Sequence, residues 1–116
     1  MELYLDTSTF NADIRLTNPE TSESFEYHED LGREMAEKLL GVLKEKLEEH
    51  GKTFEDLTKI TFMSGPGSFT GLRIGATIVN TLAHELNIPL YDHHGEKHPV
   101  ILPDYGRPAN ISTPKK

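Results

Sequence analysis

Residues 65–75 read Gly65-Pro66-Gly67-Ser68-Phe69-Thr70-Gly71-Leu72-Arg73-Ile74-Gly75, and this stretch decides how the chain folds. The residues before it, 59–63, alternate polar and apolar side chains, which is typical of a half-buried strand. The residues after it, from about Phe69 to Leu86, recur with the helical period and end at Asn87. Glycine and proline interrupt the strand, and Ser68 or Thr70 is predicted to cap the helix. The stretch therefore predicts a strand, a tight loop and a helix in direct succession.

Upstream of this stretch the sequence predicts three strands and a long helix. Apolar residues alternate with polar ones at Leu3 and Leu5, in residues 10–16, and more weakly at Phe25 and Tyr27. The period then changes to three and four residues over 30–50, with glycine at position 51 as a stop. The three strands, joined by short turns, predict an antiparallel meander that is followed by an amphipathic helix.

Downstream, Leu90-Tyr91 predicts a short last strand. The order strand, strand, strand, helix, strand, helix, strand predicts a five-stranded mixed sheet, in which two right-handed crossovers bring the later strands parallel to the first. This is a ribonuclease-H-like α/β layer with two main helices. Residues 1–92 are expected to form the domain, and residues 93–116, with three prolines in the last fourteen, are expected to form a flexible tail.

Length and composition exclude several classes of function. The chain has 116 residues, no cysteine, and twelve basic against nineteen acidic residues, which gives a net charge of −7. One domain is expected, without disulfides, thiolate nucleophiles or cysteine zinc sites. The negative charge disfavours direct tight binding of nucleic acid by this chain alone. Residues 1–6 enter a strand without a signal-peptide pattern, and no long apolar run occurs, so a cytoplasmic chain without membrane contact is expected.

The loop of residues 65–71 lies where glycine-rich phosphate loops occur, between a strand and a helix. Its spacing matches neither phosphate motif: no lysine lies between Lys59 and Lys97 to complete a P-loop, and Thr70 replaces the third glycine of a dinucleotide fingerprint. A tight turn that leads into the helix is therefore favoured. A phosphate- or nucleotide-binding enzyme that uses Asp6 and the loop from Gly65 to Gly71 remains an alternative.

Histidines near the end of the chain suggest a metal site. His93, His94 and His98 offer nitrogen ligands close to Asp92 and Glu96. Zinc sites hold their ligands on defined turns or helices with supporting hydrogen bonds, whereas this segment begins the expected tail. A solvated polar loop is favoured, and no metal ion is predicted.

A nuclease centre at the end of the first strand is disfavoured as well. Two-metal nucleases need a second carboxylate beside Asp6 on an adjacent strand end, where this sequence has Met63-Ser64. Asp6 and Thr7 suit a side-chain-stabilised turn equally well. No catalytic residue and no cofactor are predicted.

Both predicted helices carry more apolar surface than one sheet covers. The apolar arc of the second helix spans roughly 200° and includes Gly71 and Gly75, each of which costs about 1 kcal/mol relative to alanine in a helix interior. One interpretation is that the helices pack on each other and on the sheet. The other is a partner interface, which another helix approaches closely at the two glycines. The residues predicted for that interface are Met35, Leu39, Val42, Leu43, Gly71, Ile74, Gly75, Ile78 and Leu82.

Two separated segments carry a resemblance to a known family. Leu5-Asp6-Thr7-Ser8 and the eleven residues from Gly65 to Gly75 resemble the TsaB family, accessory subunits of bacterial tRNA threonylcarbamoyladenosine biosynthesis that are also grouped with glycoprotease-like proteins. The resemblance extends over residues 1 to about 92 and implies an actin-like ATPase lobe that has lost catalysis. The chain departs from the family in ending about where a second lobe usually begins. A further departure is Glu29-Asp30-Leu31, where the family usually has a His-Ser-like entry to the first helix.

The resemblance also implies partners. Members of the family pair through their first two helices with TsaD, the catalytic paralogue, and a small ATPase, TsaE, joins the assembly. TsaD carries a metal-binding His-x-x-x-His helix, and neither helix predicted here has such a pair. The resemblance thus implies a non-catalytic scaffold that binds and stabilises a TsaD-like transferase. A self-associating homodimeric domain is the second alternative, because the isolated chain has the same apolar surface to cover.

Overall fold

The computed structural model describes residues 1–9 and 11–104, which form a mixed sheet with two helices on one of its faces. The strands are β1 (Glu2–Asp6), β2 (Asn11–Thr17), β3 (Ser24–Asp30), β4 (Lys59–Phe62), β5 (Leu90–Asp92) and β6 (Lys97–His98). The helices are α1 (Met35–Glu48) and α2 (Phe69–Leu86), and two short 3-10 turns cover Gly32–Glu34 and Phe54–Asp56.

The strands lie in the order β3-β2-β1-β4-β5-β6. The first three are antiparallel, whereas β4 runs parallel to β1 and β5 runs parallel to β4, as the sequence predicts. The register places Leu3 opposite Leu16 and Ile60, so alternate residues of neighbouring strands point to one face. These side chains are almost fully buried, and α1 packs against β2 while α2 packs against β4 and β5. The mixed α/β architecture is therefore confirmed.

Two element boundaries differ from the sequence prediction. The sheet has six strands instead of five, because Lys97 pairs with Tyr91 and adds β6 antiparallel to β5. The first α-helix begins at Met35 instead of near Asp30, since β3 runs through Asp30 and Gly32 adopts a φ of 52°. That left-handed conformation favours glycine and does not belong to an α-helix. Phe10, predicted within the second strand, lies outside the described residues.

Helix α2 has the termini that the sequence predicts. Ser68 precedes the helix, and its hydroxyl accepts a hydrogen bond from the Gly71 N–H at 3.2 Å. Asn87 follows the last turn in the left-handed conformation, and its N–H donates to the carbonyls of Ala83 and His84. No helix in the described ranges is long and apolar enough to cross a membrane.

Residues 99–104, here called the strap, continue the folded unit beyond Asp92. Ile101 is 3% exposed, and the Asn80 side chain donates to its carbonyl and accepts from its N–H, both at 2.9 Å. The Asp104 N–H then donates to the carbonyl of Ser64 at 2.6 Å. The prediction of a flexible tail from residue 93 is therefore corrected over 93–104, because Asn80 satisfies both backbone polar groups of Ile101. The rest of the predicted tail, 105–116, lies outside the described residues.

Candidate functional site

The two segments that carry the family resemblance meet at the carboxyl ends of β1 and β4. The Ser68 N–H donates to the carbonyl of Ser8 at 2.7 Å, which joins the loop before α2 to the loop after β1. The Asp6 carboxylate closes a turn of its own, since Oδ1 accepts from the Ser8 N–H at 2.8 Å and from the Ser8 hydroxyl at 2.6 Å. Residues separated by about 60 positions therefore form one continuous structure.

Gly71 and Gly75 of α2 face the end of β1 and the core of the domain, and not a partner. Thr7 is fully buried, and its hydroxyl donates to the carbonyl of Gly71 at 2.7 Å. A Cβ atom on Gly71 would overlap the carbonyl oxygen of Thr7, and one on Gly75 would overlap the Thr7 hydroxyl and lie 2.6 Å from the ring of Phe62. The prediction that these two glycines admit a partner helix is therefore corrected. They let α2 approach the end of β1 and the core of its own domain.

Three backbone N–H groups at the start of α2 form hydrogen bonds within the protein. Besides the Ser68 N–H, the Gly71 N–H is capped by the Ser68 hydroxyl, and the Leu72 N–H donates to the Ser68 carbonyl at 2.9 Å. Gly65, with a φ of 128°, packs against the strap so closely that a Cβ atom there would overlap the carbonyl of Asp104. This arrangement fits a turn that fixes the start of α2 better than a phosphate cradle, whose N–H groups would point outward unpaired.

Several residues predicted for the partner interface lie in the core. Met35, Leu39 and Leu43 are 1%, 0% and 1% exposed, because their four-residue spacing places them on the stripe of α1 that faces the sheet. Leu82 of α2 is 9% exposed and belongs to the same core. Side chains buried to this degree cannot contact a partner directly while the fold is kept. Val42, Ile74 and Ile78 remain partly exposed.

Between α1 and α2 the structure has a surface groove of about 440 Å³, here called the helix groove. It is lined by Ala36, Thr70, Arg73, Ile74, Thr77 and Ile78. Two large apolar side chains lie on the same pair of helices and are open to solvent, Leu40 at 47% and Phe69 at 56% exposure. Of the predicted interface residues, Ile74 and Ile78 thus line the groove. Thr70 and Arg73, which also line it, belong to the family motif of residues 65–73, here called the motif loop.

The predicted interface includes residues of α1 but not Ala36 or Leu40. Ala36 lines the groove, and Leu40 follows Ala36 by four positions on the same helix. Both are more exposed than the leucines that were predicted, since they lie beside the buried stripe. If Met35, Leu39 and Leu43 are taken as the residues of α1 that pack on the sheet, helical periodicity alone places Ala36 and Leu40 on the neighbouring exposed face.

The other residues of the motif loop are divided between core and surface. Leu72 is fully buried and Gly65 is buried, whereas Pro66 and Gly67 are exposed and Ser68 is intermediate. A Cβ atom on Gly67 would meet the side chain and backbone of Ser8. The loop therefore serves mainly to join β4, α2 and the end of β1.

The histidine-rich segment forms the β5–β6 hairpin. The buried Asp92 accepts at Oδ1 from the N–H groups of His94 (2.8 Å) and Glu96 (3.0 Å), and at Oδ2 it contacts His98 Nε2 at 2.8 Å. The Glu96 N–H and the His98 side chain hold the pKa of Asp92 at about 2, below the usual 3.8. His93 instead lies beside Ser64, whose N–H is 3.3 Å from Nδ1. Ligand atoms of Asp92, Glu96 and His98 lie within 4.8 Å of one another, but the Asp92 oxygens are occupied in closing the hairpin.

Comparison with known proteins finds relatives along most of the chain. A profile of the family described as "TsaD: tRNA N6-adenosine threonylcarbamoyltransferase" matches residues 21–99. The Bacillus subtilis protein named "tRNA threonylcarbamoyladenosine biosynthesis protein TsaB" is 35% identical over 88 residues, which are 76% of this chain and 38% of that protein. The Escherichia coli protein of the same name is 32% identical over 88 residues, 76% of this chain and 37% of that protein.

The fold has solved counterparts in the same group. The structure of YeaZ from Pseudomonas aeruginosa superposes with a TM-score of 0.71 at 33% identity, over 78% of this chain and 42% of that chain. The present chain spans about two fifths of the length of these relatives. The matched region contains the strand β4, both helices and the motif loop. The chain therefore belongs to the TsaD family, and within that family it is similar to the proteins named TsaB.

Proposed function

We propose that this protein is a non-catalytic scaffold subunit that binds and stabilises a TsaD-like transferase in the biosynthesis of tRNA threonylcarbamoyladenosine. The observation that carries the proposal is the helix groove, a mainly apolar depression between α1 and α2, together with the exposed Leu40 and Phe69 on the same two helices. The names of the relatives supply the process, since they are TsaB proteins of threonylcarbamoyladenosine biosynthesis. The partner is TsaD-like and the complex is a heterodimer.

The groove is suited to a helical partner. Ile74 and Ile78 are spaced four positions apart on α2 and present partly exposed side chains along one line. Leu40 adds an exposed apolar side chain on α1. Exposed apolar surface that is contiguous in this way favours association, because covering it releases water from apolar area. Ridges of an opposing helix would fill the space between α1 and α2.

The family match supports a paralogue as the occupant. The matched residues, 21–99, include both α1 and α2, so TsaD proteins carry a comparable helix pair. Two such lobes can meet about an approximate two-fold axis, with each helix pair covering the other. The same geometry serves the alternative of a homodimer, in which a second copy of this chain covers the groove when TsaD is absent.

Absence of catalysis is part of the proposal. The Asp6 carboxylate is engaged by Ser8, and the loop N–H groups that the structure describes at 68, 71 and 72 are paired within the protein. The alternative of a phosphate- or nucleotide-binding enzyme would need these groups to be free. The chemistry in the complex is therefore assigned to the partner.

The remaining partners follow from charge and family. With a net charge of −7, the chain is expected to leave tight tRNA contacts to other subunits. A TsaE-like ATPase is proposed as a further member of the assembly, and the cytoplasm, where tRNA is modified, as its location.

Titration of the full chain with the TsaD protein of the same organism tests this function. Ile78→Glu places a charge in the groove and is expected to weaken binding at least about a hundredfold, because a buried unpaired carboxylate is costly. Thr77→Trp, at an exposed position, fills the groove without disturbing the core. Val100→Glu is the matched control, since Val100 is a β-branched residue, 56% exposed, outside the groove.

Thermal melts of each variant accompany the titration, because Ile78 also packs on the core. If Thr77→Trp folds normally and binds TsaD as tightly as the unmodified chain does, the groove is not the interface. If the unmodified chain does not bind TsaD, and sedimentation shows a dimer that Thr77→Trp converts to a monomer, the homodimer replaces the heterodimer.

A further inference from the structure

We propose that the guanidinium of Arg73 in the helix groove forms an ion pair with a carboxylate of the protein that binds there. This inference rests on the function proposed above and adds the chemistry by which the partner is selected. The partner surface is an apolar helix face that carries an aspartate or glutamate where it meets Arg73.

The position of Arg73 within the groove carries the first step. Of the six lining residues, the other five are alanine, threonine and isoleucine, so Arg73 is the charged member of the set. Its guanidinium lies 5.6 Å from the ring centroid of Phe69, one turn earlier on α2. A guanidinium over an aromatic face is attracted by the ring and is held in place. The ring of Phe69 therefore favours one position of the guanidinium within the groove lining before any partner arrives.

Arg73 has no ion-pair partner among the described residues. In residues 1–9 and 11–104, no aspartate or glutamate forms an ion pair with it, whereas Arg15 pairs with Glu26 and Lys38 pairs with Glu34. The groove lining contains no acidic side chain. In a chain whose net charge is −7, this leaves an unpaired cation beside an apolar surface.

Burial of the groove then determines what the occupant must supply. A helix that fills the groove removes water from Arg73, and a buried charge without hydrogen-bond partners is strongly unfavourable. A carboxylate matches the planar fork of the guanidinium with two parallel hydrogen bonds, better than a single carbonyl does. A carboxylate on the occupant therefore offsets the cost of removing water from Arg73, and occupants that lack one bind less tightly.

The same residue disfavours pairing of two identical chains. In a two-fold dimer both copies contribute the same lining residues, so two Arg73 guanidinium groups enter an interface whose lining offers no carboxylate. Like charges without counter-charges oppose association. Arg73 thus favours a paralogue that carries the acid over a second copy of this chain.

Titrations of the full chain with the TsaD protein of the same organism, at about 50 and about 500 mM salt, test the inference. Arg73→Met keeps much of the side-chain volume and removes the charge, and Arg73→Glu reverses it. We expect Arg73→Met to weaken binding at least about tenfold and to remove most of its salt dependence. We expect Arg73→Glu to weaken binding further. The control is Lys97→Glu, which changes the net charge by the same amount as Arg73→Glu, at an exposed position on β6. Its affinity for TsaD is expected to stay within about twofold of that of the unmodified chain.

The outcomes separate this inference from the function on which it rests. If both Arg73 variants bind as the unmodified chain does while Thr77→Trp does not bind, the groove is the interface and the carboxylate contact is refuted. If Lys97→Glu weakens binding as much as Arg73→Glu, overall charge replaces a specific contact, and the inference fails. If Thr77→Trp binds normally, the proposed function fails and this inference fails with it.

Discussion

The hydroxyl of Thr7 donates a hydrogen bond of 2.7 Å to the carbonyl of Gly71, across 64 positions of the sequence. This bond ties the end of β1 to the first turn of α2, and it is fully buried because Thr7 has no exposed surface. Gly71 and Gly75 permit the approach, since neither position has room for a side chain. The orientation of α2, and with it the position of the helix groove, depends on this contact.

Thr7→Val tests the hydrogen bond itself. Valine has nearly the same shape, so the loss of unfolding free energy should reflect the hydrogen bond alone, about 0.5–1.5 kcal/mol. Urea denaturation measures the change, and Thr81→Val, at an exposed position of the same helix, is expected to stay within about 0.5 kcal/mol. Equal stability of Thr7→Val and the parent chain would contradict a structural role for the hydroxyl.

Gly75→Ala tests the internal role of the glycines. A methyl group there meets the Thr7 hydroxyl and the Phe62 ring, so we expect a net loss of about 1–3 kcal/mol despite the better helix propensity of alanine. The matched variant is Gly41→Ala, in the middle of α1, where a Cβ atom finds nothing within 4 Å. This variant should gain up to about 1 kcal/mol. A gain at both positions in thermal and urea unfolding would show that α2 does not approach Thr7 as described.

The Asp92 carboxylate makes stability depend on pH. Its pKa is lowered from 3.8 to about 2 in the folded chain by the Glu96 N–H and the His98 side chain. A lowered pKa means that the ionised form stabilises the fold, fully above about pH 4, and that this contribution is lost as the pH falls from about 4 to about 2. Asp92→Asn should therefore be less stable than the parent at neutral pH, and the difference should shrink over that interval.

Urea unfolding of both proteins between neutral pH and about pH 2.5 measures this difference. Glu96→Gln serves as the control, since the Glu96 side chain is exposed and its hydrogen bonds with Asp92 are made by its backbone N–H and carbonyl. A difference between parent and Asp92→Asn that stays constant across the acidic range would contradict the assigned hydrogen bonds of the carboxylate.

Most of the secondary structure was predictable from the chain because its signals are local. Alternation in β1, β2 and β4, the Ser68 cap and the Asn87 stop of α2 are patterns of a few residues, and the structure confirms them. The β6 strand was missed, because a pair of residues carries no period, and its pairing depends on the turn that Asp92 closes.

The candidate site was predicted only in part. The sequence indicated that α1 and α2 have surplus apolar surface, and Ile74 and Ile78 do line the groove. It assigned Met35 and Leu39 to that surface as well, although they lie in the core. An apolar arc wider than one stripe does not specify which part of it faces the sheet, because either rotation of the helix satisfies the same period.

The sequence by itself determined the order of β1 to β5 and the two helices, the caps of α2 and the family resemblance, because short-range spacing specifies them. Only the tertiary structure decided the rotation of each helix on the sheet, the internal role of Gly71 and Gly75, and the contact of Asn80 with Ile101. These features depend on distances between residues far apart in the chain. Such distances follow from how strands pair and side chains fill space, and no local pattern encodes them.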